Sequence, residues 1–205
     1  VIDKPERTQV RLMMGQLVDS INSPNAEPFS IANTAFGGFF NSRYSTEIRI
    51  KRGWTYHASS SYSANPIRGV WHLDTFTTNE NVGNALRRSQ EMVRELRDGG
   101  ITDAEMEKAQ QSLINRFPFR FETAERRLHE RLRLFFEQLP TSFVSERTAR
   151  LQKINREQVN EALKQTIRPD DMIVVAVCEA KQCLDTLKQA LDSLASVTVV
   201  PYDQE

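Results

Sequence analysis

Residues 55–77 read TYHASSSYSANPIRGVWHLDTFT. In the first part Tyr56, Ala58, Ser60 and Tyr62 alternate with His57, Ser59, Ser61 and Ser63, the period of two that marks a half-buried strand. Val70–Thr77 is a second strand candidate. Between them Asn65-Pro66-Ile67-Arg68-Gly69 is turn chemistry, since proline presets φ and glycine tolerates conformations that other residues avoid. The stretch therefore predicts an antiparallel hairpin with a long loop, its strands at Thr55–Ser63 and Val70–Thr77.

Upstream, Val10–Val18 (VRLMMGQLV) is apolar enough for a strand, with Gly15 placed to form a bulge. Ser23-Pro24 opens a helix to about Phe36, with proline in its first turn. Phe36-Gly37-Gly38-Phe39 breaks the chain. A short helix follows from Ser42 to about Arg52, and Gly53 ends it. Downstream, Val82, Leu86, Met92, Val93 and Leu96 fall at helical spacing until Asp98-Gly99-Gly100. Thr102 and Glu105 form a capping box for the next helix. Phe117-Pro118-Phe119 and Phe121 mark an aromatic break. Leu128, Leu132, Leu134, Phe135 and Phe136 continue helically to Leu139-Pro140. Asn155 caps a helix to about Ile167, and Met172–Cys178 (MIVVAVC) is a buried strand. A helix over Lys181–Ala195 and a short strand over Val197–Val200 follow. This order predicts an α+β fold of two layers, one mixed and largely antiparallel sheet with helices on one face. No break in composition divides residues 1–205, so they read as one domain.

Composition narrows the function. Of 205 residues, 27 are Lys or Arg and 27 are Asp or Glu, so the total carries no basic excess of the kind that neutralises nucleic-acid phosphates. With 39% hydrophobic residues and mean hydropathy −0.51 the chain reads as globular. No apolar run approaches the ~20 residues that span a bilayer. Cys178 and Cys183 read as a buried strand thiol and a thiol near a helix start, with a local disulfide as the alternative.

Chemistry-bearing constellations are scarce. A zinc peptidase places two histidines on one helix face in H-E-x-x-H or H-x-x-E-H. Neither spelling occurs around His57, His72 or His129. Glu125 and His129 stand four apart, but Arg126, Arg127, Arg131 and Arg133 surround them and would repel a divalent ion. There is no G-x-S-x-G elbow, and Gly37-Gly38 lacks the Lys-Ser/Thr ending of a phosphate loop. The sequence therefore predicts no metal site, cofactor or catalytic group of its own.

One segment carries more. In FGGFFNSRYSTEIRIKRGWTYHASSS, residues 36–61, Gly37-Gly38 is followed by Ser42-Arg43, Glu47, Arg49, Gly53 and Tyr56. This resembles the C-terminal, non-catalytic domain of pitrilysin/insulinase-type zinc metallopeptidases, with Tyr44 where leucine is usual. Val1–Gly15, with its D-x-P turn and Gln9, resembles the opening of that domain. GITDAEMEKA from Gly100 resembles its G-[IV]-T helix start, and Arg168–Ala180 resembles its late P-x-x-[LM]-x-[IV]-V-V strand. The four pieces stand in the family's order and span most of the chain.

The resemblance implies the function that the residues alone do not. Such enzymes are clamshells of two similar halves. One half holds zinc, and the other closes over the peptide with an arginine and a tyrosine that Arg49 and Tyr56 match. From their own chemistry these two read as a surface helix charge and a core strand aromatic. The resemblance implies instead that they donate hydrogen bonds to a peptide carbonyl or its oxyanion, and that Gly37 and Gly38 line the chamber. It further implies that the chain is a fragment of a longer two-half protein, inactive alone. Its partners would be a peptide and a homologous zinc-bearing half, attached or separate, with all zinc on that half. The compartment is unknown, the periplasm being slightly favoured over the cytoplasm. Two rival readings stand: a structural superfamily member akin to the core subunits of respiratory complexes, and a generic ligand-binding α+β module.

Overall fold

The computed structural model describes residues 1–203. Its centre is a ten-residue strand, β2 (Gln9–Val18), following a two-residue β1 (Ile2–Asp3). Strict alternation decides the role of β2. Val10, Leu12, Met14, Gln16 and Val18 are buried, while Arg11, Met13, Gly15 and Leu17 point the other way. The hairpin strands are β3 (Ala58–Ser63) and β4 (Gly69–Thr78), and the late strand is β5 (Ile173–Cys178). A last short strand, β6, covers Val200–Pro201. The order across the sheet is β3-β4-β2-β5-β1-β6, antiparallel from β3 through β5 and parallel where β1 joins β5 and β6. This is the mixed, largely antiparallel sheet that the sequence predicts.

Helices cover the face carrying Leu12, Met14, Trp71, Leu73 and Ala176. The first is α1 (Ala26–Gly37); α2 (Arg43–Ser45) runs on as a π-helix, Thr46–Lys51. Then come α3 (Val82–Gly99) and α4 (Asp103–Arg116). A 3₁₀ turn at Pro118–Phe121 leads to α5 (Ala124–Phe136). Next are α6 (Ser142–Ser145), α7 (Arg147–Lys153) and α8 (Arg156–Thr166), with α9 (Ala180–Gln189) after β5. In α3 the buried residues Val82, Leu86, Met92, Val93 and Leu96 form one stripe. Burying each such side chain fully contributes about 1.5–3 kcal/mol, so the amphipathic pattern sets which side meets the sheet. Gly100, at φ +70, ends α3 in a conformation that costs other residues. Both reciprocal hydrogen bonds of the Thr102–Glu105 capping box are present, and Asn155 makes the same device with Gln158.

Two polar side chains tie the layers together. Gln16, on the core face of β2, donates to the Thr166 carbonyl at 2.7 Å and accepts from the Arg168 amide at 2.9 Å. Asn33 Oδ1 accepts from Ser60 Oγ at 2.7 Å and from Trp71 Nε1 at 3.0 Å, joining α1 to both strands of the hairpin. A buried polar group left unpaired costs roughly 1–3 kcal/mol, so these bonds select one seating of helix on sheet.

Several local expectations need correction. Gly15 forms no bulge: β2 pairs with β4 without interruption from Gln9↔Thr78 to Val18↔Gly69. Its role is close approach, because a Cβ there would lie 2.6 Å from the Trp71 carbonyl oxygen. Strand β3 begins at Ala58 rather than Thr55. The Thr55 hydroxyl receives the His57 amide at 3.0 Å and donates to the His57 carbonyl at 2.8 Å, closing a local turn before the ladder starts. Helix α9 stops at Gln189, short of Ala195, because the chain must reach the sheet edge. There Val200 donates to the Val1 carbonyl at 2.9 Å. The first helix starts at Ala26, past Pro24, and α6, α7 and β1 carry no signal that the sequence reading picked up. Cys178 and Cys183 are both buried and free, so the disulfide alternative is not realised.

Candidate functional site

Segment 36–61 leaves the end of α1, crosses α2 and the π-helix, turns at Gly53 and enters β3. Its polar residues divide into two groups. Arg43 grips Glu105, with Nε on Oε1 at 2.8 Å and Nη2 on Oε2 at 2.5 Å, and also donates to the Gly100 carbonyl at 3.0 Å. The segment is thereby pinned to the start of α4. Glu47 accepts from Arg52 and Arg88, each at 3.1 Å, with Lys51 Nζ at 3.5 Å. Burial by itself raises the Glu47 carboxyl, and these guanidiniums reverse it, holding the group below the usual carboxylate range. Tyr44 is 1% exposed, stacks on Phe36 and bonds Ser89 through its hydroxyl at 2.9 Å. An aromatic thus replaces the usual leucine without leaving its oxygen unpaired.

Arg49 and Tyr56 form the other group. Among the described residues neither side chain makes a hydrogen bond or an ion pair. Arg49 lies in the π-helix, a form that recurs at functional positions. Its guanidinium sits 3.9 Å from the centre of the Phe40 ring, and Phe40 itself is 69% exposed. Tyr56 is 92% exposed, so it is no core strand aromatic, and it lies two residues ahead of β3. Gly53, at φ +66 with open space around it, makes the reversal between the two. Phe40 is the participant that the sequence reading missed. Its signal was present as an unexplained apolar pair, Phe39-Phe40, directly after the glycines.

Gly37 and Gly38 sit differently from a flexible loop. Gly37 closes α1 against β3, where a Cβ would lie 2.4 Å from the Ser60 amide nitrogen. Gly38 caps the helix, its amide donating to the Thr34 carbonyl at 3.1 Å. The histidines do not converge either. His57 and His129 are exposed, His72 is on β4, and among the described residues no three His, Cys, Asp or Glu groups gather in a way that could hold a metal ion. No described helix is long and apolar enough to cross a membrane.

The family model described as the peptidase M16 inactive domain matches residues 1–113. A Helicobacter pylori protein named non-peptidase homolog YmxG is 26% identical over 148 residues, 71% of this chain and 34% of its own length. The crystal structure of a peptidase M16 inactive domain from Pseudomonas fluorescens superposes with TM-score 0.76 at 26% identity, covering 86% of this chain and 42% of that one. A chain of Complex III2 from Candida albicans superposes with TM-score 0.74 at 12% identity, covering 92% and 48%. The chain therefore spans about a third to a half of the length of these relatives.

Proposed function

We propose that this chain, which belongs to the peptidase M16 inactive-domain family, is the zinc-free half of a two-half peptidase. In this reading its 205 residues make one domain of a longer protein or assembly, closing over a peptide held at a zinc site on the other half. One observation supports it above others. The motif's Arg43, Tyr44 and Glu47 are engaged in holding the fold together, whereas the side chains of Arg49, half-buried, and Tyr56, exposed, are free of such bonds. A guanidinium and a phenol so placed supply donors for a peptide carbonyl and for the oxyanion that forms when water attacks it. The zinc would supply the activated water; this chain would supply binding and charge stabilisation. Gly37 and Gly38 would direct the chain from α1 toward Phe40, whose ring supports Arg49.

The test is Arg49→Ala and Tyr56→Phe in the assembled two-half protein. Loss of one oxyanion donor costs about 10²–10³ in turnover, while Tyr56→Phe at an exposed position moves stability by no more than about 0.5 kcal/mol and Arg49→Ala, which gives up its contact with Phe40, by about 1 kcal/mol. Turnover falling by that factor, with the melting temperature changed by no more than these amounts allow, supports the reading. Wild-type turnover in both variants removes it. A second reading, a structural superfamily member without peptidase activity, draws on the name of the H. pylori relative and on the Complex III2 likeness. It expects an assembled protein that has no turnover to lose.

A further inference from the structure

The chain has equal numbers of acidic and basic residues, yet the fold gathers its arginines unevenly. A hollow of about 450 Å³ at the end of α4, the 3₁₀ turn and α5 is lined by Arg116, Arg120, Arg126, Arg133, His129 and Phe119. The one acidic residue in its wall is Glu130, which accepts from Arg120 at 2.8 Å and from Arg133 at 2.5 Å, and Arg133 is paired with Glu137 as well. Arg126 is occupied by the Phe119 carbonyl at 2.7 Å and by Glu122 at 3.1 Å. Arg116 has only a 3.5 Å contact to Thr34 Oγ1, and no carboxylate reaches it among the described residues. Half-buried Arg147 stands close by, 5.3 Å over the Phe117 ring, likewise without a carboxylate.

Burial first, and repulsion from Arg120 second, push the guanidiniums of Arg116 and Arg147 below their ordinary range. Among the described residues Arg116 and Arg147 thus stand near Arg120 without a carboxylate of their own, while Arg120, Arg126 and Arg133 are ion-paired. The two unpaired guanidiniums remain available to an anion that enters. Guanidiniums present planar donor pairs that match carboxylates. Phe119, 61% exposed at the rim, adds an apolar contact of the kind a peptide uses and a bare ion does not.

We infer that the arginine-lined hollow at the α4–α5 junction is a docking site for acidic segments of a peptide. It is independent of the Arg49–Tyr56 reading, because it needs no zinc half and no turnover. The test is fluorescence anisotropy of labelled hexaglutamate with this chain at low ionic strength, with hexaglutamine and inorganic phosphate as comparisons. Hexaglutamate is expected to bind and hexaglutamine is not. The double substitution Arg116→Gln with Arg120→Gln weakens binding at least tenfold, and Arg116→Lys with Arg120→Lys, which keeps the charge but not the planar donor pair, recovers part of it. Arg68→Gln, an exposed arginine on the β3–β4 loop, leaves it within twofold. The inference is overturned if hexaglutamine binds equally well, or if phosphate displaces the peptide at the concentration at which hexaglutamate itself saturates. It is also overturned if Arg68→Gln costs as much as the double variant, or if the double variant, folded by near-ultraviolet circular dichroism, binds as wild type.

Discussion

Gly37→Ala separates a packing glycine from a chamber-lining one. A Cβ at residue 37 would stand 2.4 Å from both the amide nitrogen and the Oγ of Ser60, and 2.7 Å from its Cβ. The hydroxyl can rotate away, but only by giving up its 2.7 Å bond to Asn33. The amide nitrogen cannot rotate at all, being part of a strand paired with β4, so α1 and β3 must separate by about 1 Å to restore contact distance. Forcing extra volume into a packed interface costs about 1–3 kcal/mol, and a lost hydrogen bond adds roughly 1 kcal/mol. Alanine returns up to about 1 kcal/mol of helix propensity. The net expectation is a loss of about 2 kcal/mol, or some 4–8 °C in melting temperature for a chain of this size. Gly99→Ala is the internal control: it is helical, has negative φ and has nothing within 4 Å of its Cβ, so it should be neutral or slightly stabilising. Urea unfolding of both variants, compared at equal slope, measures the difference. A Gly37→Ala protein as stable as Gly99→Ala would refute the packing argument and return Gly37 to the role of a tolerant loop residue.

Three further outcomes follow from the ion pairs and the thiols. Burial acting alone would raise the Glu105 carboxyl, but Arg43 and the Thr102 amide hold it below its ordinary value. Its contribution is therefore complete above the unfolded carboxylate range and is lost as pH falls through the folded value. Unfolding free energy should decline from about pH 5 downward, and Glu105→Gln should flatten that decline while lowering stability at pH 7; an unchanged pH profile in Glu105→Gln would count against the pair. Arg43→Ala leaves a partly buried carboxylate and cap unsupported, so chemical denaturation should show a loss of about 1–3 kcal/mol. Burial, then Cys183, push the Cys178 thiol up to about 12, so at pH 8 only about one molecule in 10⁴ carries the thiolate that reacts. Labelling by a soluble disulfide reagent should wait for unfolding, and rapid reaction of both thiols in the native protein would contradict the buried placement.

How much was legible depended on how local the cause was. The Thr102–Glu105 box, the stop at Gly99-Gly100 and the Gly53 reversal were readable because each is decided by a few neighbouring side chains and one backbone conformation. Ile2–Asp3 and Val200–Pro201 were not readable as parallel neighbours, because a two-residue strand has no period and exists only where another edge is offered. The arginine hollow escaped for the same reason. Arg116, Arg120, Arg133 and Arg147 lie on α4, a 3₁₀ turn, α5 and α7, and composition reports a neutral total whether they scatter or converge.

At Arg49 and Tyr56 the division is sharpest. Sequence by itself determined the residue types, the seven-residue separation, and, through resemblance, the suspicion that they serve a peptide. It also determined the hairpin after them, since strand alternation is written in the order of side chains. Only the tertiary structure decided that Tyr56 is outside the sheet and 92% exposed, although the alternation counted it as an inward position. Beside the local Thr55 turn the cause is nonlocal: Thr75, from β4, donates to the His57 carbonyl at 2.8 Å, and Thr77 donates to the Trp54 carbonyl at 3.0 Å. These hydroxyls satisfy the backbone without a ladder, so β3 starts three residues late and the phenol stays outside the sheet. Likewise Arg43 and Glu47 became fixtures of the fold only because α3 and α4 bring Arg88 and Glu105 to them. Which charges hold a fold and which remain available depends on partners distant in the chain, and that distance closes only on folding.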